Sequence, residues 1–341
     1  MPSRHRARRC AGLTVSQLVS LAACWLCVTA IASLAGTDAR AQSSTTAQRN
    51  NTAPGRPLLE VDNWGYQLHS LDTNVIASNN DYDLLVVDYS RGGSEGERLT
   101  RADIAKMKTR PNGRPRVILC YISIGEAENY RYYWQSGWRM GTPNWLLWEN
   151  KQWKGNFIIK FWDAEWKNII YGGDKSYLSR IIDAGFDGIY LDRVDVHNEV
   201  TKYNPDARRD MIAFVAEMAK VARQRKPGFF IVPQNAEELV TDEGYMKVID
   251  ALGIEDLLYG ANSEGQRNSA SEIRDRSELL KMARRAGKGV FIVEYLNKPA
   301  DIERARNEIM TMEAGFIPYV VAPRDLGRIK TENLETHDEP E

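Results

Sequence analysis

Four short apolar runs in this chain end in a carboxylate: Leu84-Leu-Val-Val-Asp88, Gly188-Ile-Tyr-Leu-Asp192, Gly253-Ile-Glu255 and Ile292-Val-Glu294. Burying a charge costs free energy unless it is compensated. A single acid at a strand end can be explained as the cap of the next helix. Four acids at equivalent places point to a site that several strands build together. The runs lack strict polar–apolar alternation, as expected of parallel strands covered on both faces.

Helical patterns separate the strand-like runs. After Asn204-Pro205, which reads as an N-cap and first-turn pair, Met211, Phe214, Val215, Met218, Val221 and Ala222 fall on one helical face. A second helix is expected over 300–314. Gly185, Gly228, Gly287 and Gly315 stand where helices return to strands. Alternating strands and helices over this length predict an α/β fold, a single-domain (β/α)8 TIM barrel. A doubly wound sheet is the alternative, but no glycine-rich phosphate loop follows the first strand. Nine strand candidates compete for eight places. The run Phe157–Trp162, inside the long stretch between Ser123 and Gly188, is the one left outside. Asp192 then ends the fourth barrel strand and Glu255 the sixth.

The ends of the chain differ from its middle. Arg4, Arg6, Arg8 and Arg9 precede an apolar run over 13–34, and Ala39-Arg40-Ala41 resembles a cleavage site. Residues 1–41 are therefore expected to be a signal peptide, and the protein secreted or periplasmic. Lipidation at Cys24 and an uncleaved membrane anchor are the alternatives. Residues 42–57 read as a disordered linker, 58–327 as the barrel and 328–341 as a flexible charged tail. Loss of the leader removes five arginines and Asp38, which takes the formal net charge from -1 to -5. That balance does not suit nucleic acid. It also leaves Cys120 as the one cysteine, and only three histidines, so a zinc site of the usual kind is not expected. No cofactor is expected, and the protein is expected to be a monomer.

In a barrel the C-terminal ends of the strands form the site. The candidates there are Tyr66, Gln67, Asp88, Ser123, Glu126, Asp192, Asp195, Gln234, Asn235, Glu255 and Glu294, with Trp162 from the insert. Carboxylates and amides without a nucleophilic Ser, Cys or His suit glycoside hydrolysis, in which one acid protonates the leaving oxygen and another attacks or activates water. Seven tryptophans between Trp134 and Trp166 add aromatic faces suited to sugar rings, and at least two are expected to line a groove. Two rival readings are a sugar-binding barrel without catalysis and a metal-dependent phosphohydrolase.

The segments Trp64-Gly-Tyr-Gln-Leu68, Tyr121-Ile-Ser-Ile-Gly-Glu-Ala-Glu128, Gly185-Phe-Asp-Gly-Ile-Tyr-Leu-Asp192, Pro233-Gln-Asn-Ala-Glu237 and Gly253-Ile-Glu255-Asp resemble the bacterial branch of glycoside hydrolase family 114. That family includes endo-α-1,4-polygalactosaminidases and the hydrolase domain of the Pel exopolysaccharide system. The resemblance implies a TIM barrel whose catalytic pair falls on Asp192 and Glu255. It also implies a retaining endo-α-glycosidase acting on a galactosamine-containing polysaccharide. This chain has Asp192-Arg193 where the characterised polygalactosaminidases have Asp-Asn, and Ile-Glu255-Asp-Leu where they have Asn-Glu-Gln-Cys. Members of the branch are also labelled as related to cysteinyl-tRNA synthetase, a label to which zinc ligands and an adenylate signature, both missing here, would have lent weight.

Overall fold

The computed structural model describes residues 58–329 apart from Ala314, Pro323 and Asp325. The expected leader and linker, and most of the expected tail, lie outside the described residues. Eleven strands are described: β1 (Trp64–Gln67), β2 (Leu84–Val87), β3 (Val117–Ser123), β4 (Glu126–Glu128), β5 (Leu146–Glu149), β6 (Asn156–Ile159), β7 (Gly188–Asp192), β8 (Phe230–Pro233), β9 (Ala251–Glu255), β10 (Gly289–Tyr295) and β11 (Phe316–Val321). Eight helices accompany them: α1 (Thr73–Ser78), α2 (Arg101–Met107), α3 (Ala164–Tyr171), α4 (Tyr177–Ala184), α5 (Ala207–Arg225), α6 (Glu243–Val248), α7 (Ala270–Arg285) and α8 (Pro299–Met312).

Parallel ladders run in the order β1-β2-β3-β7-β8 and β9-β10-β11. The bridge between Gln234 and Gly253 joins the two sets. Across the seam from β11 to β1, the Trp64 indole donates to the Ile317 carbonyl at 2.9 Å, and Leu68 N–H donates to Leu326 O at 2.9 Å. The eight strands and their crossovers make the expected (β/α)8 barrel. β4, β6 and β5 form a separate antiparallel sheet in the long insert. The run from Phe157 therefore does stand outside the barrel, and Asp192 and Glu255 do end its fourth and sixth strands.

Aromatic side chains fill the barrel interior. Trp64 lies 5.5 Å from Phe291, 5.6 Å from Tyr319 and 6.3 Å from Tyr190, centroid to centroid, and Tyr66 lies 5.3 Å from Tyr190. Such pairs contribute roughly 0.5–1.5 kcal/mol each beyond the burial of their area. At the opposite end of the strands, acids serve structure. Asp83, Asp187 and Asp250 each accept a backbone N–H from a neighbouring segment, from Asp62 (3.0 Å), Ile118 (3.1 Å) and Ile231 (2.7 Å) respectively. These bonds satisfy donors where the ladders begin.

The helices follow their sequence signals with one exception. Gly185, Gly228, Gly287 and Gly315 all have positive φ, as the helix-to-strand corners require. The exception is the start of α5. The Asn204 side chain accepts from Asp206 N–H at 3.0 Å and makes a turn, so the helix begins at Ala207 rather than at Pro205. Its Met211, Phe214, Val215 and Met218 are buried on one face as the spacing predicts. Ile329 is also buried, so the chain stays packed just past residue 327.

Candidate active site

The strand ends surround a cavity of about 410 Å³. Of the residues singled out from the sequence, Tyr66, Asp88, Glu126, Asp192, Asp195, Gln234, Asn235 and Glu255 line it. Gln67, Ser123, Trp162 and Glu294 do not. For Gln67 and Glu294 the reason is the two-residue period of a strand. Phe291 packs on Trp64 inside the barrel, so Tyr295, four residues on, also points inward and Glu294 points to the helical layer. Glu294 is fully buried and accepts the N–H groups of Leu258 (2.6 Å) and Tyr259 (3.2 Å). Burial pushes its carboxyl up to about 8 against those two bonds. In β1 the inward residues are Trp64 and Tyr66, so the Gln67 amide instead donates to the backbone carbonyls of His69 and Gly327. Ser123 is buried and Trp162 packs on Phe161 at 5.0 Å.

Asp192 and Glu255 come together through one amide. Gln234 Nε2 donates to Asp192 Oδ1 at 3.2 Å and to Glu255 Oε2 at 2.6 Å. Those two oxygens therefore lie less than about 6 Å apart, close to the carboxyl spacing of retaining glycosidases. Asp192 also accepts from the Tyr121 hydroxyl at 2.7 Å and from Arg193 N–H at 2.7 Å. Glu255 accepts from the Tyr295 hydroxyl. Burial, and then the Asp192 charge, push the Glu255 carboxyl up to about 7. The backbone just beyond these strands is left-handed at Arg193 (φ 61°), Asn235 (φ 58°), Ala236 (φ 53°) and Asp256 (φ 53°). Non-glycine residues seldom adopt that conformation, and it is commonest where a site demands it.

Two arginines pair with the remaining acids. Arg131 grips Asp88 with two bonds of 2.8 and 2.7 Å and holds Glu128 at 2.6 Å, with all three residues buried. Arg193 pairs with Glu126 at 2.6 Å and reaches Asp195 and Glu199. A third, Arg324, pairs with Asp256 at 2.6 Å and lies 4.0 Å from the centroid of the Tyr295 ring.

Sequence reasoning missed Tyr121, Tyr295, Arg131 and Glu128. Strand parity signals the first two, since they share faces with interior aromatics. The ion pairs join segments far apart in sequence and carry no local signal. The expected tryptophan groove is corrected. Trp153 is the tryptophan that lines the cavity, 53% exposed, with Tyr130 beside it at 44%. Trp134, Trp138, Trp145 and Trp166 pack in a row at 5.3, 4.9 and 5.2 Å and serve as core of the insert. Among the described residues, no group of three or more His, Cys, Asp or Glu is arranged to hold a metal ion, and no helix is long and apolar enough to cross a membrane.

The family model described as glycoside-hydrolase family GH114 matches residues 41–333. An uncharacterized protein of Methanocaldococcus jannaschii is 34% identical over 281 residues, covering 79% of this chain and 78% of that protein. Among solved structures, Aspergillus fumigatus Ega3 in complex with galactosamine is similar with a TM-score of 0.58 at 20% identity, covering 82% of this chain and 98% of that one. The glycoside hydrolase domain of PelA from Pseudomonas aeruginosa gives 0.58 at 16% identity, covering 80% and 98%. At these identities the two structural likenesses are likenesses of fold.

Proposed function

Because the chain belongs to glycoside-hydrolase family GH114, its chemistry is the hydrolysis of glycosidic bonds, and we propose that Asp192 and Glu255 carry it out as a retaining pair on a galactosamine-containing exopolysaccharide. The observation that carries this reading is the single Gln234 amide in contact with both carboxylates. Asp192, held by Tyr121 and Arg193 N–H, attacks the anomeric carbon. Glu255, whose raised pKa lets it keep a proton near neutrality, gives that proton to the departing oxygen. The glycosyl ester on Asp192 is then hydrolysed by a water that Glu255 deprotonates, which returns the proton to Glu255.

The open mouth, with Trp153 and Tyr130 exposed on its wall, suits a polymer running across it and hence internal cleavage. The galactosamine held by Ega3 in its complex motivates the sugar. Export after removal of residues 1–41 puts the enzyme in the same compartment as such polymers. In this reading residues 58–327 form the catalytic domain, and the protein works as a monomer without a cofactor.

The test is turnover of deacetylated, galactosamine-rich polymer by wild type, Asp192→Asn and Glu255→Gln, with the anomeric form of the first product read by NMR. The expected result is an α-product from the wild type and a loss of at least about 10³-fold in either variant. Undiminished turnover by Asp192→Asn, or a β-product, would overturn the assignment.

A further inference from the structure

Gln234 follows the last residue of β8, between the strands that carry Asp192 and Glu255, and is only 2% exposed. Its backbone N–H donates to Leu191 O at 2.7 Å, and Asn235 N–H donates to Gly253 O at 2.8 Å. The main chain is thus tied to both neighbouring strands just below the two carboxylates. The side chain is fixed at its other end. Gln234 Oε1 accepts from the Tyr66 hydroxyl at 3.3 Å. The opposite rotation of the amide would turn its carbonyl oxygen toward the ionised Asp192 carboxylate and leave the Tyr66 hydroxyl facing the NH2 group instead of an acceptor. The nitrogen therefore faces the pair.

Other groups around the pair titrate or carry charge, and each hydrogen-bonds to at most one of the two carboxylates. Asp192 is faced by the Tyr121 hydroxyl from β3 and, at longer range, by Glu126, Arg193 and Asp195. Glu255 is faced by Tyr295 from β10, Arg324 from beyond β11 and its own neighbour Asp256. Tyr66 from β1 and Tyr190 from β7 lie beneath both. The Gln234 amide differs from all of these. It donates to both carboxylates and has no proton of its own to gain or lose over the accessible pH range.

Two half-buried carboxyl groups this close, with nothing between them, tend to share one proton. Neither is then free to act as an anionic nucleophile or as a proton donor. We propose that Gln234 is a positioning residue that prevents this sharing, its amide holding the carboxyls of Asp192 and Glu255 apart so that one stays ionised while the other carries the proton. The proposal rests on the reading of Asp192 and Glu255 as the catalytic pair. Tyr66 takes part indirectly, by fixing which way the amide points.

The experiment compares Gln234→Leu, Gln234→Glu and Tyr66→Phe with the wild type in two ways. One is the pH dependence of kcat/KM on a deacetylated galactosamine oligomer. The other needs no substrate: carbon-13 NMR titration of labelled Asp and Glu carboxyl groups, with Asp192→Asn and Glu255→Gln used to assign the signals. Loss of a donor to an anion raises its pKa, so Gln234→Leu should move both limbs of the rate profile upward by about one pH unit. It should lower kcat about 100-fold with little change in KM. Tyr66→Phe should move the limbs the same way by less. Gln234→Glu should keep activity only on the acid side, where the new carboxyl is protonated and can still donate. If Gln234→Leu and Tyr66→Phe leave both carboxyl titrations where they are, the proposal fails. It fails equally if Gln234→Leu raises KM alone, for then the residue only binds sugar. Should Gln234→Leu not fold, the Tyr66→Phe and Gln234→Glu titrations decide. Activity in Asp192→Asn or Glu255→Gln would instead sink the catalytic pair, a separate outcome visible in the same assay.

Discussion

Tyr190 and Gly253 face each other inside the barrel so closely that a β-carbon on Gly253 would lie 1.9 Å from the Tyr190 hydroxyl oxygen. Tyr190 is two residues before Asp192 in β7, and Gly253 is two before Glu255 in β9. By strand parity this contact is therefore the layer directly beneath the two carboxylates. The small residue on one strand makes room for the large one on the other, and this sets the floor on which the pair stands.

Gly253→Ala should accordingly cost stability and activity together. The methyl group meets a ring held between Trp64 and Tyr66, so it cannot be absorbed by a surface rotamer. Overpacking of this kind costs roughly 1–3 kcal/mol. Urea unfolding with Gly253→Ala as stable as wild type would show that the ring moves freely.

Arg131→Met should destabilise the fold by roughly 3–5 kcal/mol, because it leaves Asp88 and Glu128 buried without their cation. Arg131→Lys should recover only part of the loss, since an ammonium cannot make the two parallel bonds to Asp88. Equilibrium unfolding of the three proteins measures both effects.

Activity should fall as pH rises through about 7, because Glu255 must carry a proton to act as the acid. Tyr295→Phe removes a donor to the Glu255 carboxylate and should move that limb to higher pH. An unchanged limb would mean that another group controls the profile.

Stability should also depend on Glu294. Its folded pKa of about 8 lies above the value for an unfolded glutamate, so the folded state binds the proton more tightly. The resulting stabilisation is complete below about pH 4.3 and is lost as pH rises through about 8. Glu255 adds a loss of the same sign around pH 7. The thermal midpoint of the wild type should therefore decline between pH 5 and about 9, and Glu294→Gln should flatten the decline even if its midpoint is lower throughout. Parallel curves for the two proteins would contradict this.

The sugar preference should be electrostatic and modest. Arg131 is shared by Asp88 and Glu128, and Arg193 by Glu126 and Asp195, so these acids are only partly neutralised and, with the ionised Asp192, leave a modest excess of negative charge to attract a cationic amino sugar. Deacetylated polymer should be cleaved severalfold faster than the same polymer after chemical N-acetylation, with the advantage shrinking as salt rises. Chelator should leave both rates unchanged. Equal or faster cleavage of the acetylated polymer would remove the amino-sugar preference without touching the glycosidase chemistry.

Much of this arrangement is legible in one dimension. Apolar runs such as Gly188-Ile-Tyr-Leu can be buried only as strands, and the glycines at 185, 228, 287 and 315 mark corners that need positive φ. The alternation of the two element types gives a parallel α/β fold, for which a barrel is the natural match at this length, and in a barrel Asp192 and Glu255 end at the same mouth. What the tertiary structure alone decided is which acids face inward and which are neutralised. Glu294 ends an apolar run just as Glu255 does, yet one strand residue of offset turns it onto the amides of Leu258 and Tyr259. Asp88 stands at a strand end like Asp192, yet Arg131, 43 residues away, closes on it with two bonds. Strand parity relative to the barrel axis and the pairing of distant charges are properties of the folded barrel. No local stretch of sequence encodes them, because each needs a partner that only folding brings near.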